Sequence, residues 1–313
     1  MSSRRGLAYL LRMAKILITG GAGSVGRFLT ERFYRTHEIQ LFDKDDYLLW
    51  EMSRKYRGVQ LTLGDVRETV DLRNSVKWAD VIIHAAAYKN IEITELNPLA
   101  TCDNDFYGTV SVVHEVQKHS GKKFILISTD KAVYPLSALG AAKMLAERFV
   151  IEANWATDAQ LAIARFVNVE ETRGNVFELW RQQIAAGQAP EITDLRMERH
   201  FNTIEKVQDL FEHILRDMRG GEVFIPDVPK LRVIERFQQL YGANHPYRVV
   251  GIRRNEKLYD PLYTDEEAPF VERRDGYLVI DYNRIREAYA ARGNSTSEAE
   301  TAKALHSGQR ISA

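Results

Sequence analysis

The chain has 313 residues, 45% apolar and 27% charged, and its 43 lysines and arginines balance 43 aspartates and glutamates to a formal net charge of zero. A pI near 7.1 with no basic surplus excludes duplex nucleic acid as the main partner, because neutralising phosphates needs a basic stripe. The single cysteine, Cys102, excludes an internal disulfide and any multi-cysteine metal site. No run approaches the ~18 apolar residues of a membrane span, and the reducing cytoplasm is the expected compartment.

Arg4 and Arg5 precede an apolar stretch (7–11) shorter than the ~7–15 residues of a signal-peptide core. Met13 opens MAKILITGG like a second start, so residues 1–12 are expected to be an appendage. From there short apolar runs alternate with amphipathic stretches, the pattern of βαβ units and a parallel sheet. The expected strands are KILIT (15–19), IQLFD (39–43), VQLTL (59–63), DVIIH (80–84), KFILIS (123–128) and QLAIARF (160–166). Continuous apolar runs of this kind suit burial on both faces. Near residue 170 the rhythm changes, and GEVFIP (221–226) reads as a last strand returning to the sheet. The expected fold is α/β: a doubly wound parallel Rossmann sheet from 13–168 plus about 201–226, with a smaller interwoven cap from 169–200 plus 227–292. The polar stretch 293–313 is expected to be a flexible tail.

The first strand runs into TGGAGSVG, with Gly20, Gly23 and Gly26 at G-x-x-G-x-x-G spacing and Ser24 and Val25 among them. Gly20 permits a tight turn, Gly23 lets backbone approach a pyrophosphate, and Gly26 lets the helix pack closely. A diphosphate would sit on the amide-rich, positive end of that helix. Asp43, closing the second strand, is placed to accept from both ribose hydroxyls, which favours NAD. Lys44 beside it can pair with a 2′-phosphate, which keeps NADP as the alternative. Asp65 and Val66 follow the third strand toward the adenine, and Ala85, Ala86 and Ala87 let backbone pass close to the cofactor after the fourth.

The fifth strand ends in Ser128-Thr129-Asp130-Lys131, and the next helix carries Leu139-Gly140-Ala141-Ala142-Lys143. Doubly wound sheets bind ligands at the carboxyl ends of strands, so Thr129, Asp130 and Lys131 lie where a substrate would. An acid and an amine side by side suggest a proton donor and a proton acceptor for one substrate. The cap adds Arg253, Glu256 and Lys257 in GIRRNEK, with Arg173 and Arg199 upstream. Arginines offer forked contacts to a diphosphate, and Glu256 can accept from ribose hydroxyls. Lys89, just past the fourth strand, can reach cofactor or diphosphate. The eight histidines show no metal-ligand spacing, and no metal is expected.

TGGAGSVG, LGDVR (63–67), HAAAYKN (84–90), NDFYGT (104–109), STDKAVYP (128–135), GAAK (140–143), RFVNV (165–169) and GIRRNEK (251–257) occur in this order. Together they resemble the extended short-chain dehydrogenase/reductases. From about 14 to 267 the chain is most similar to the capsular-polysaccharide branch of UDP-N-acetylglucosamine 4,6-dehydratases. The resemblance implies a nicotinamide cofactor kept through the cycle, a UDP-hexosamine substrate, a 4-keto-6-deoxy product and a homodimer or larger homo-oligomer. It implies Lys131 as the base at C5, made neutral by Lys143, burial and the positive nicotinamide ring. Asp130 would be the acid at the C6 hydroxyl and Thr129 the partner of the C4 oxygen. Lys143 would hold the nicotinamide ribose with support from Asn104, and Ser128 joins the cofactor contacts. Arg253 and Glu256 would bind the UDP moiety, while Asn168 and the loop Arg173, Gly174, Asn175 and Val176 would line its sugar and uridine side.

Three departures stand out. The superfamily's tyrosine, four residues before the lysine and so on the same helix face, is Leu139 here. Asn90 stands where the branch usually has histidine, and MERHFNT (197–203) stands for its TRFxMT segment. Two other readings follow: an epimerase or 4-keto reductase on the same nucleotide sugars, and a catalytically silent nucleotide-binding protein. The Asp130-Lys131 pair argues against pure 4-epimerisation, which needs no acid and base at C5 and C6. Leu139 lends weight to the silent reading.

Overall fold

The computed structural model describes residues 13–291, so the appendage expected at 1–12 and the tail expected at 293–313 lie outside the described residues. In chain order the strands are β1 (Lys15–Thr19), β2 (Glu38–Asp43), β3 (Gln60–Leu63), β4 (Val81–His84), β5 (Lys123–Thr129), β6 (Gln160–Phe166) and β7 (Asn168–Val169). They continue with β8 (Glu191–Ile192), β9 (Glu198–Asn202), β10 (Glu222–Pro226), β11 (Lys230–Arg232), β12 (Arg248–Val249), β13 (Val271–Arg274) and β14 (Tyr277–Asp281). Among the described residues, nine strands form one sheet in the order β13-β14-β10-β6-β5-β4-β1-β2-β3. Those from β10 to β3 run parallel, and β14 and β13 add an antiparallel edge.

The side-chain period of two divides the apolar strands between two helical layers. Ile16 and Ile18 of β1 pack on one face with Leu29, Ile83, Phe166 and Phe211. Leu17 between them packs on the other with Ile82, Phe124, Leu126 and Val150. Each such side chain stabilises the fold by roughly 1.5–3 kcal/mol when fully buried. The helix Ile204–Asp217 covers the first face with a stripe of Val207, Leu210, Phe211 and Ile214, and the Thr203 hydroxyl caps it by accepting from the Lys206 amide.

A smaller layer holds the sheet β11-β9-β7 over a cluster of Phe177, Trp180, Phe201 and Phe237. Residues 271–281, expected within the cap segment, instead extend the large sheet as a hairpin. Asp275 and Gly276 turn it with φ of 49° and 85°, the positive values a two-residue hairpin loop requires.

A buried ion-pair network clamps the strand tips. Arg165 on β6, opposite Ser128 on β5, reaches Glu147 at 2.7 Å and Glu267 at 2.9 Å and donates to the Leu262 carbonyl at 2.9 Å. Glu147 lies on the helix Ala138–Asn154, so the network ties that helix and the 262–267 segment to the floor of the crevice.

Candidate active site

At the end of β1 the glycine loop is held in place by contacts only glycine permits. Gly20 has φ of 64°, and a Cβ there would lie 2.6 Å from the amide nitrogen of Ala86. The loop therefore presses on the Ala85-Ala86 backbone that leaves β4. A Cβ on Gly26 would meet the Gly21 carbonyl oxygen at 2.1 Å, so the first helical turn closes directly on the loop. Gly23 starts the helix Ser24–Phe33 without a side-chain cap, which leaves its first amides free for an anion. Asp43 lies beneath, accepting from the amides of Ala22 at 3.0 Å and Asp45 at 3.1 Å. His84 is buried at the end of β4 between Thr19 and Thr109, and burial pushes its pKa down to about 3, so it adds no charge under the loop.

The Asp65 carboxylate is gripped by Arg67, whose hydrogen bonds pull its pKa to about 2, and Val66 is buried against Gly108. Lys44 stacks over the Tyr88 ring at 5.0 Å and points Nζ toward Asn104 Oδ1 at 3.5 Å. Asn104 lies in a π-helical turn, Cys102–Tyr107, and donates to Asp105 Oδ1 at 2.9 Å. The hydroxyl of Ser128 and one carboxylate oxygen of Asp105 are buried without a hydrogen-bond partner among the described residues. A cradle that a Cβ would fill, an uncapped helix start and two orphaned polar atoms fit a dinucleotide.

Lys143, one turn into the next helix, is buried and donates to the Ile127 carbonyl at 3.0 Å. Burial pushes its ammonium down, and Asp105 and Glu147 partly offset this. Leu139 is 4% exposed: the position of the missing tyrosine is filled by packing. A Cβ on Gly140 would lie 2.4 Å from the Lys131 carbonyl oxygen, so the absent side chain lets the 129–135 loop lie on this helix. Tyr134 hydrogen-bonds Asp265 and is half exposed; it serves the loop and not the strand tip.

At the tip of β5, Asp130 is fully buried. Its Oδ1 accepts from the Thr129 hydroxyl at 2.9 Å and from Lys131 Nζ at 3.0 Å. A second carboxylate, Asp260, stands 3.5 Å from the same ammonium. The expectation that Lys131 is neutralised by Lys143 is corrected here. Burial does push the ammonium down, but Asp130 and Asp260 outweigh it and hold Lys131 above the ordinary lysine range. Lys143 is occupied at Ile127.

The substrate-side residues divide. Lys89 Nζ bonds the Arg173 carbonyl, and the Arg173 amide approaches the Ser24 hydroxyl at 3.4 Å, so Arg173 lies against the first residue of the helix that follows the nucleotide loop. Burial pushes the Lys89 ammonium down. Arg253 is accessible, 3.2 Å from Glu92, and Glu256 accepts from its amide at 3.2 Å. Val176 opens the helix Val176–Ala185. Three candidates are spent on structure. Arg199 donates to the carbonyls of Glu198, Lys257 and Leu258 and pairs with Asp260. Asn175 caps that helix and bonds the carbonyls of Val169 and Glu170. Asn168 ties β7 to the His200 carbonyl.

Sequence reasoning missed Asp105 and Asp260. Asp105 was within reach, as the second residue of NDFYGT beside Asn104, but Asp260 reaches Lys131 across 129 residues of chain, and only the folded cap brings it there.

The sheet order, the glycine loop and the buried lysine after β5 define an extended short-chain dehydrogenase/reductase fold. A family described as polysaccharide biosynthesis protein matches residues 16–281. The UDP-N-acetylglucosamine 4,6-dehydratase (inverting) of Campylobacter jejuni is 30% identical over 274 residues, covering 85% of this chain and 82% of its own. A UDP-glucose 4-epimerase of Rickettsia typhi is 28% identical over 279 residues, covering 85% and 82%. An uncharacterized membrane protein of Methanocaldococcus jannaschii is 31% identical over 282 residues, covering 85% of each chain. Among solved structures, Pen from Bacillus thuringiensis superposes with a TM-score of 0.80 at 26% identity, covering 87% of this chain and 89% of its own. The chain belongs to the polysaccharide biosynthesis protein family. No helix among its described residues is long and apolar enough to cross a membrane.

Proposed function

We propose that this protein is a nicotinamide-dependent nucleotide-sugar 4,6-dehydratase acting on UDP-N-acetylglucosamine or a related UDP-hexosamine. The observation that carries the reading is the 3.0 Å contact between Lys131 Nζ and Asp130 Oδ1 at the tip of β5. The dehydratase relatives support it.

A bound nicotinamide would supply reversible oxidation at C4 of the sugar, and NAD is preferred because the Asp43 carboxylate disfavours a 2′-phosphate. The C4 ketone acidifies the C5 hydrogen. Elimination then needs an amine to take that proton and a carboxylic acid to protonate the departing C6 hydroxyl. Lys131 rests as an ammonium 3.0 Å from Asp130. Moving one proton from Lys131 to Asp130 across their contact yields both required species, and closing substrate over the pair favours this neutral form by removing the water that still reaches the Lys131 ammonium. Thr129, bonded to Asp130, would steady the C4 oxygen and pass its hydroxyl proton to solvent as C4 is oxidised. The proton on Lys131 then returns to C5, the nicotinamide would supply the reduction at C6, and a solvent proton restores the Lys131 ammonium, for a net loss of one water.

Incubation with UDP-N-acetylglucosamine should give a product lighter by one water with no added oxidant or reductant. The Rickettsia relatives favour a second reading, 4-epimerisation, whose product would keep the substrate's mass.

A further inference from the structure

Asp260 is 2% exposed and lies on the segment that carries Arg253, Glu256 and Lys257. Its Oδ2 is 3.1 Å from Arg199 Nε and 3.5 Å from Lys131 Nζ, and its Oδ1 is 3.3 Å from Lys257 Nζ. Arg199 and Lys257 also donate to backbone carbonyls, Lys257 to Val133 at 2.7 Å. They anchor the segment. Lys131 instead faces two carboxylates, one from its own loop and one from the cap.

We propose that Asp260 is a positioning residue for Lys131: reaching from the cap, it fixes the amine beside Asp130 and sets on which side of their contact the shared proton rests. A second carboxylate favours the ammonium, while Arg199, which also faces Lys131, and Lys257, which competes for the same carboxylate, temper that pull. Thr129 adds only a neutral hydroxyl at Asp130. The consequence for turnover rests on the proposed roles of Lys131 and Asp130; the placement of the proton does not.

The test is pH-dependent acylation of lysine amines in the full-length protein, read for Lys131 by peptide mass spectrometry. In Asp260→Asn the midpoint for Lys131 should fall by about one pH unit, the low end for losing an opposite charge at this range. The Lys143 midpoint should stay, and Asp260→Glu should restore the wild-type value. An unmoved Lys131 midpoint overturns the assignment. If Asp260→Asn fails to fold, Lys257→Met serves, since it keeps both carboxylates and removes a cation: its Lys131 midpoint should rise, and no change or a fall overturns the assignment. Where turnover is measurable, its upper pH limb should follow the Lys131 midpoint, because loss of the shared proton leaves Asp130 none to give. A midpoint that shifts while the limb stays put upholds Asp260 and removes Lys131 as the base.

Discussion

Lys143 Nζ donates to the backbone carbonyl of Ile127 at 3.0 Å, so the tip of β5 itself, and not a side chain one helical turn earlier, holds the buried ammonium. Leu139, four residues before it, packs where the superfamily's phenol would stand.

That packing makes Leu139→Tyr an overfilled site and not a restored one. The larger ring should cost about 1–3 kcal/mol, lowering Tm by about 5 °C at this chain size. A thermal melt checks this. An unchanged Tm would mean the position holds space for a hydroxyl.

Gly20→Val meets two obstacles, the positive φ and the Ala86 amide 2.6 Å from the new Cβ. Strain of about 1–3 kcal/mol should appear in the melt, and displacement of the loop should weaken dinucleotide binding at least tenfold by fluorescence titration. Wild-type dinucleotide affinity in this variant would detach the loop from the binding site.

Dinucleotide preference should follow Asp43. NAD should bind about tenfold more tightly than NADP, as expected for about 1.4 kcal/mol, and Asp43→Ala should narrow the gap mainly by improving NADP. Calorimetric titration of both dinucleotides reads this directly. An unchanged ratio would shift the discrimination to Lys44.

Glu267 gives the fold an acid-sensitive joint. It is buried, and Arg165 together with the Tyr282 hydroxyl outweighs the desolvation that would raise its pKa, holding it near 2 against an ordinary value of 4.5. A depressed carboxyl stabilises the folded state above its unfolded pKa and loses that contribution as pH falls through the folded value. Between about pH 5 and pH 2 the wild type should therefore lose about 2–3 kcal/mol through this group. Urea unfolding at stepped pH should show Glu267→Gln less stable at pH 7 and flatter over that window. Parallel curves for the two proteins would contradict the assignment.

Local chemistry made most of the architecture readable. Each expected parallel strand appears within a residue or two, because an apolar run between helical stretches has few other places to go, and TGGAGSVG holds the glycines that the close approaches at Gly20 and Gly26 demand. Sequence does not say to which sheet a hairpin adds, and VERRDGYLVID, within the expected cap segment, joins the large one. That Asp130 and Lys131 share one strand tip was legible from their adjacency. The charge state of Lys131 was not, since it depends on Asp260 far along the chain. Arg199, Asn168 and Asn175 looked like ligand contacts for the converse reason: their donors are consumed by carbonyls that only the fold brings near.

The most direct test of the account is to supply UDP-N-acetylglucosamine in deuterated water and follow the sugar by NMR, with Lys131→Ala alongside. The wild type should release a 4-keto-6-deoxy sugar carrying solvent deuterium at C5, and the variant should bind dinucleotide normally yet form none. A 4-epimer without deuterium at C5, or normal turnover in the variant, would contradict it.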